Sequence, residues 1–486
     1  MLAVVLEIFK LSNLLIMNLG VFIGIMVGAL PGLTSVFAIT VLLPFTFGME
    51  TIPGMYLLLG AYCGGVFGGS ITAIVINTPG TPAAAATILD GYTLAKKGRA
   101  GDALKSALVA STFGGLFSCF ALLFVAPSLA SFALKFGPPE YFALCLFGLT
   151  IVISLSEDNL LKGLISAGFG LLFSTVGIDA NAGVPRFMFG NINLLNGISA
   201  IVVMLGIFAL SEMIEKTRLG IDTKQEKVEL TKASIKVTDI LKHRAILLKS
   251  SIFGTIIGAV PGTGGAIAAF FSYNEARRSS KHPEKFGTGC IEGIIAPESS
   301  NNAVSGSTLI PLLTLGIPGD ISTAVLMGAL TVKGIIPGPE LFVGDKFWVY
   351  SIMLGLFIIN IFMFTQGSYL TKLFSNVTKI SFVILIAGVM VLCTVGAFAM
   401  SNSIFDVYIM LFFGLFGYIM KRFDFPLAPM TIAIVLGKLT ETNLQRSMIM
   451  SNDNPAIFFT RPISLFFIIV ASLSIFNSIF KKIKNR

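Results

Sequence analysis

An all-α, polytopic membrane protein is what this sequence predicts. About 11–13 membrane segments are expected, in two related, inverted repeats with re-entrant or broken helices. Three observations lead there. Mean hydropathy is +0.88 and only 12% of the 486 residues are charged, roughly half the share of a soluble domain. Long apolar runs follow one another without the alternation of a transmembrane barrel. Gly/Pro interruptions recur inside those runs, in the same order in both halves.

Residues 1–12 predict a short leading helix. No basic region or small-residue cleavage site marks them as a removed signal. The next run, 14–30, carries Gly20, Gly24 and Gly28 four apart, a spacing that lets helices approach closely in lipid. Pro31 and Gly32, followed by Thr34, break it before a second apolar piece ending at Phe47. At roughly 1.5 Å per residue each piece is marginal for a crossing, so a broken or re-entrant helix is expected. A Gly-dense span follows over 55–76, containing Ser70 and Thr72, and ends at Asn77, Thr78, Pro79 and Gly80. Asp90, before Gly91, reads as a turn or helix-end residue. Further spans are expected near 106–130, 140–156, 161–177 and 195–214.

Residues 1–215 thus form the first membrane repeat, 216–249 a basic cytoplasmic linker, and 250–486 the second repeat with C-terminal spans. The second half opens as the first does. Gly254, Gly258, Pro261 and Gly262 restate Gly24, Gly28, Pro31 and Gly32. Gly316, Ile317, Pro318 and Gly319 restate 77–80, and 324–334 restates 87–98. Basic residues flank 250–276 on both sides, at Lys249 and Arg277, so that segment should enter and return. The last spans are expected near 347–371, 380–400, 404–420, 426–440 and 462–480. Weak internal repeats with paired interrupted helices point to a secondary transporter with its site near the midplane.

The net charge of +9 does not indicate nucleic acid. Lys and Arg cluster in short loops: 96–105, 216–249, 277–285 and the tail 481–486. The positive-inside rule makes these loops and the C-terminus cytoplasmic. Five scattered cysteines read as small core residues. Both histidines lie in basic loops, and no Walker, HExxH or GxSxG motif occurs, so neither an enzyme nor an ATPase is predicted. No cofactor and no metal beyond a coupling Na⁺ is expected.

The stretch 296–319 carries the sharpest signal. No charge occurs from Ser299 to Gly319, yet it opens on Ser299, Ser300, Asn301 and Asn302 and closes on a helix breaker. Unpaired polar groups in lipid cost several kcal/mol, roughly. Such a segment belongs beside a polar cavity or ligand. An interrupted helix exposes N–H groups that suit a carboxylate, and carbonyl and hydroxyl oxygens that suit Na⁺. The expected substrate-binding residues are Asn77, Thr78, Pro79, Gly80, Ser299, Ser300, Asn301, Asn302, Gly316, Pro318 and Gly319. Cation-binding or gating candidates are Pro31, Gly32, Thr34, Ser70, Thr72, Pro261, Gly262, Thr263, Gly264 and Glu298. The bland alternative is that the breaks only kink packed helices and that the Ser-Asn block caps a helix or bonds between helices.

These motifs, in order, resemble one family. They are GALPGLT at 28–34, GGSIT at 68–72, NTPG at 77–80, LDGY at 89–92 and KGRA at 97–100. GPPEYFAL at 137–144 and the segment 177–190 follow. The second half adds PGTG at 261–264, APESSNNA at 296–303, LGIPG at 315–319, FPLAP at 425–429 and LGKLTE at 436–441. Together they resemble the large membrane subunit, or permease, of tripartite tricarboxylate transporters. That resemblance implies a cation-driven (Na⁺ or H⁺) importer of small carboxylates in a bacterial inner membrane. It also implies two protein partners, a periplasmic solute-binding protein and a small membrane subunit, besides membrane lipid. A channel, or a permease without a binding protein, is the alternative.

Overall fold

The computed structural model describes residues 2–154, 160–179, 181–219, 228–344, 346–376 and 382–484. Residues 220–227 of the basic linker and the terminal Arg486 lie outside them. Twenty-three α-helices account for most of the described chain. The first half begins with α1 (Leu2–Ile8), α2 (Leu11–Gly28), α3 (Ser35–Leu42), α4 (Thr51–Ile76) and α5 (Ala85–Leu94). It continues with α6 (Ala100–Ala133), α7 (Pro138–Ser154) and α8 (Leu160–Ser174). A two-stranded antiparallel hairpin, β1 (Gly177–Ile178) with β2 (Pro185–Arg186), leads to α9 (Ala200–Met204) and α10 (Ser211–Leu219). A π-helical segment, Leu205–Leu210, joins these last two.

The second half holds α11 (Val237–Leu241), α12 (Arg244–Ala259), α13 (Gly264–Ser279), α14 (Glu292–Ser307), α15 (Leu309–Leu315) and α16 (Ile321–Val332). Then follow α17 (Lys346–Tyr369), α18 (Thr371–Asn376), α19 (Phe382–Ser401), α20 (Ile404–Arg422), α21 (Leu427–Met450), α22 (Ile457–Thr460) and α23 (Pro462–Lys484). Helices run across both ends of the 216–249 stretch, α10 at one and α12 at the other.

Five helical stretches are long and apolar enough to cross a membrane, by length and composition: Leu11–Gly28, Thr51–Ile76, Pro82–Ala133, Lys346–Tyr369 and Ile404–Arg422. Shorter apolar helices accompany them. Phe124, Leu161, Leu415 and Phe466 project from α6, α8, α20 and α23 as exposed side chains, as expected of a protein whose solvent is lipid.

Burial is greatest at two places. In α4 every residue from Gly54 to Ile76 is buried, and in α14 every residue from Gly293 to Ser307. Both are rich in glycine or serine, which permits backbones to meet. Gly254 of α12 shows the need: a Cβ there would lie 2.8 Å from Ser300 Cα. Around α14 pack α4, α5, α6, α12 and α13.

The two halves show parallel local geometry. In each, a helix stops just before a Pro-Gly pair whose glycine has positive φ, Gly32 at 77° and Gly262 at 86°. In each, the following buried helix ends on a left-handed residue, Asn77 at φ 56° and Gly316 at φ 68°. The second pair of helices, α12 and α13, folds back on itself. Lys249 Nζ lies 2.7 Å from Glu275 Oε1, joining the start of one helix to the end of the other.

Asp90 corrects the sequence reading. It is not at a turn or helix end but inside α5, fully buried. Its carboxylate accepts hydrogen bonds from Tyr273 Oη and from the backbone N–H groups of Gly287, Gly289 and Cys290. A loop that follows α13 by sequence is thereby tied to α5.

Candidate functional site

The helix interruptions converge on one cavity of about 410 Å³, within the range that holds small ligands. Five helical segments begin at its wall: α3 at Ser35, the 3₁₀ turn at Pro82, α13 at Gly264, α16 at Ile321 and α21 at Leu427. The first N–H groups of any helix lack intrahelical partners and carry partial positive charge. Here most stay open. The residues preceding α3, α13 and α21 (Thr34, Thr263 and Pro426) make no side-chain cap. Thr263 Oγ1 instead donates back to the carbonyls of Ile257 and Val260.

Only α16 is closed. Asp320 Oδ1 accepts from Thr323 N–H at 2.8 Å, while Asp320 N–H donates to Thr323 Oγ1 at 2.8 Å. Tyr62 Oη donates to the other carboxylate oxygen at 3.0 Å and lies 3.3 Å from Thr308 Oγ1. The Asp320 carboxylate on the cavity wall is therefore held by donors from its own fold.

Among the described residues, two buried polar atoms of wall residues have no hydrogen-bond partner, Asn301 Nδ2 and Thr81 Oγ1. Ser35 Oγ and Ser322 Oγ meet across the cavity at 3.4 Å. Lys421 lies at the wall with Glu212, to which it is paired, and it also reaches Glu215 at 3.1 Å. Lys216 Nζ donates to the Pro31 carbonyl at 3.3 Å. The cavity thus offers open helix starts beside unpartnered buried polar groups, with the lysine on its wall already engaged. That combination suits an oxyanion such as a carboxylate.

The expected residues divide into two sets. Gly32, Thr34, Gly262, Thr263, Gly264 and Asn301 line the cavity. The others pack behind it. Asn77 is exposed at the end of α4, Thr78 bonds its own turn, and Gly80 N–H donates to the Gly69 carbonyl at 3.2 Å. Pro79 is half-buried and Pro318 buried, and neither lines the cavity. Gly319 accepts from Gly262 N–H at 2.6 Å, fastening the α15–α16 turn to the hairpin tip beside Pro261, and Gly316 caps α15. Thr72 Oγ1 donates to the Gly69 carbonyl.

The Ser-Asn block is not at a break at all, but in mid-helix. Ser299 Oγ donates to the Ile295 carbonyl at 2.9 Å, Ser300 Oγ to that of Ala268 at 3.0 Å, and Asn302 Nδ2 to that of Glu298 at 3.0 Å. Glu298 points to α4, α5 and α6, accepting from Ser70 at 2.6 Å, Thr87 at 2.5 Å and Ser111 at 2.8 Å. Sequence reasoning missed Ser35, Tyr62, Thr81, Asp320 and Ser322. Each sits one to four residues past a Pro-Gly break or on its packing face, where a search for helix starts would have looked.

Comparison with known proteins places the chain. Residues 14–432 match the model of the "Tripartite tricarboxylate transporter TctA family". The chain belongs to the TctA family. It is 38% identical over 445 residues to an uncharacterized 52.8 kDa protein in the TAR-I ttuC′ 3′ region of Agrobacterium vitis, covering 92% of this chain and 89% of that one. An uncharacterized protein in the TAR-II ttuC′ 3′ region of the same organism is 35% identical over 211 residues, 43% of this chain and 87% of that one. No solved structure matches. As a TctA-family member the chain is a membrane transport subunit of a tripartite system, not an enzyme.

Proposed function

We propose that this TctA-family chain is the permease of a binding-protein-dependent secondary transporter that imports tri- or dicarboxylates across the bacterial inner membrane. A gradient of Na⁺ or H⁺ drives it by alternating access. A periplasmic solute-binding protein delivers substrate, and a small membrane subunit assists. The convergence of uncapped helix starts on one cavity carries the reading, because it supplies positive potential and N–H donors beside a lysine already paired with Glu212.

The parallel geometry of the two halves supports an internal duplication with two re-entrant hairpins, α2–α3 and α12–α13, meeting at the site. Glu212, which pairs with Lys421 at the end of α20, stands where α10 leads into the basic 216–249 segment. By the positive-inside rule the cavity then faces the cytoplasm, as in an inward-facing state. Counterflow in proteoliposomes tests the proposal, using labelled citrate and succinate with and without Na⁺, a pH gradient and the purified binding protein. Uptake that needs the binding protein and a cation gradient is expected. Equilibration without either would identify a channel instead.

A further inference from the structure

We propose that Glu298 is the proton-binding site of this transporter, and that the proton it holds is the coupling ion. The inference rests on the transport reading above and adds the identity of the ion and its carrier. Glu298 is fully buried, and among the described residues no cation lies within ion-pair distance of it. An ionised carboxylate in such a place is costly unless something neutralises it.

Among the described residues its carboxylate partners are three hydroxyls: Ser70 on α4, Thr87 on α5 and Ser111 on α6, at 2.5–2.8 Å. A hydroxyl can donate or accept. The same cage therefore satisfies both forms of the carboxyl. When the proton arrives, the new O–H donates to one hydroxyl oxygen, and that hydroxyl turns its own hydrogen to a helix carbonyl one turn back. One proton binds, no bond is left unmade, and the buried charge disappears. Oxygens this close to the carboxylate leave no space between them for a Na⁺ ion.

The other buried carboxylates nearby lack this freedom. Asp90 is held by three backbone N–H groups and a tyrosine, and Asp320 by Thr323 N–H as well as hydroxyls. An N–H can only donate, so those cages cannot exchange donor and acceptor roles as hydroxyls can. Charged groups on the elements packed around α14 are engaged or distant. α4 has none. Asp102 of α6 pairs with Arg99, Lys249 of α12 with Glu275 of α13, and Lys105 lies six residues before Ser111. Arg244, Arg277 and Arg278 are exposed.

The cage also touches the cavity. Asn301 follows Glu298 by one turn of α14. Thr81, on the cavity wall, packs against Gly69 beside Ser70: a Cβ on Gly69 would lie 2.8 Å from Thr81 Oγ1. Engagement of Thr81 and Asn301 by substrate thus reaches two members of the proton site.

The test uses Glu298→Gln in proteoliposomes with labelled citrate and succinate as probes. Accumulation under an inward pH gradient is expected to fall about tenfold or more, and by more than exchange at equal pH does. Infrared difference spectroscopy on the same samples should show a protonated-carboxyl carbonyl band that Glu298→Gln removes. Thr87→Val, which keeps the carboxyl, should move the pH midpoint of that band. Wild-type accumulation by Glu298→Gln, loss of exchange in a folded variant, or a band that Na⁺ abolishes at constant pH overturns the proposal. If the wild type moves neither probe, the transport reading fails, and the infrared band still decides whether Glu298 binds a proton.

Discussion

Asn301 and Asn302 are adjacent in sequence and opposite in role. The Asn302 amide is used within α14, donating to the Glu298 carbonyl. Asn301 lines the cavity, and among the described residues its buried Nδ2 has no partner. Asn301→Ala should therefore depress carboxylate uptake about tenfold or more while membrane abundance stays normal, since one lost hydrogen bond to a charged ligand costs on the order of 1.5–3 kcal/mol. Asn302→Ala should act mainly on stability. Equal transport defects at both positions would contradict the assignment. From sequence the two could not be separated, because the helical phase that turns one outward and the other inward is set by packing against α6 and α12. Away from the membrane, Asp179 anchors the β hairpin. The Ala182 N–H, Gln445 and the Asn181 N–H, with Arg186 beside them, hold its carboxyl down at about 2. A depressed value means the fold favours the anion, so this contribution is complete above about pH 4, the ordinary Asp range. It disappears as pH falls through about 2. Asp179→Asn should remove it at neutral pH, seen as faster amide hydrogen exchange over 177–186. Unchanged exchange would show that Arg186 with Glu441 suffices.

Helix positions were legible because lipid imposes them: a run of apolar residues must form a helix to satisfy its own backbone. The spans expected near 106–130 and 404–420 fall within α6 and α20, and that near 140–156 overlaps α7 up to Ser154, its last two residues lying outside the described ones. The interior of 296–319 was read less well. Its serines and asparagines suggested a cavity lining or a helix cap, yet α14 continues through Pro297 and the whole block, of which Asn301 lines the cavity. Short polar side chains bonded to carbonyls one turn back are as compatible with a helix as with a cap, and composition does not distinguish them. The glycine spacing at 20, 24 and 28 was the more reliable signal. These residues meet the backbone of α4, and a Cβ on Gly24 would stand 2.8 Å from Ala61 Cα. Gly24→Ala should force α2 from α4 at a cost of about 1–3 kcal/mol. A lower unfolding temperature in detergent checks this, and an unchanged one would mean the seam can open without penalty.

The cavity is assembled from segments far apart in the chain, and that explains both what could be read and what could not. Each break was visible alone as a Pro-Gly pair. Which side of each break faces ligand depends on how α3, α13, α16 and α21 are brought together, and this long-range information is absent from local pattern. The assembled result puts the hairpin tips, not the left-handed turns, at the wall. It also suggests how access alternates. Gly262 N–H is bonded to the Gly319 carbonyl, and Lys216 to the Pro31 carbonyl, so each tip is fastened by few bonds to a neighbouring element and can be released without unfolding a helix. Thr263, half-buried at the wall, is a place to watch that movement. A Thr263→Cys variant in oriented vesicles should react with a membrane-impermeant thiol reagent from the cytoplasmic side alone when no substrate is present. Adding loaded binding protein outside should slow that reaction and open the opposite one. Simultaneous labelling from both sides at equal rates would mean a continuous pore, and the gradient-driven mechanism would fall with it.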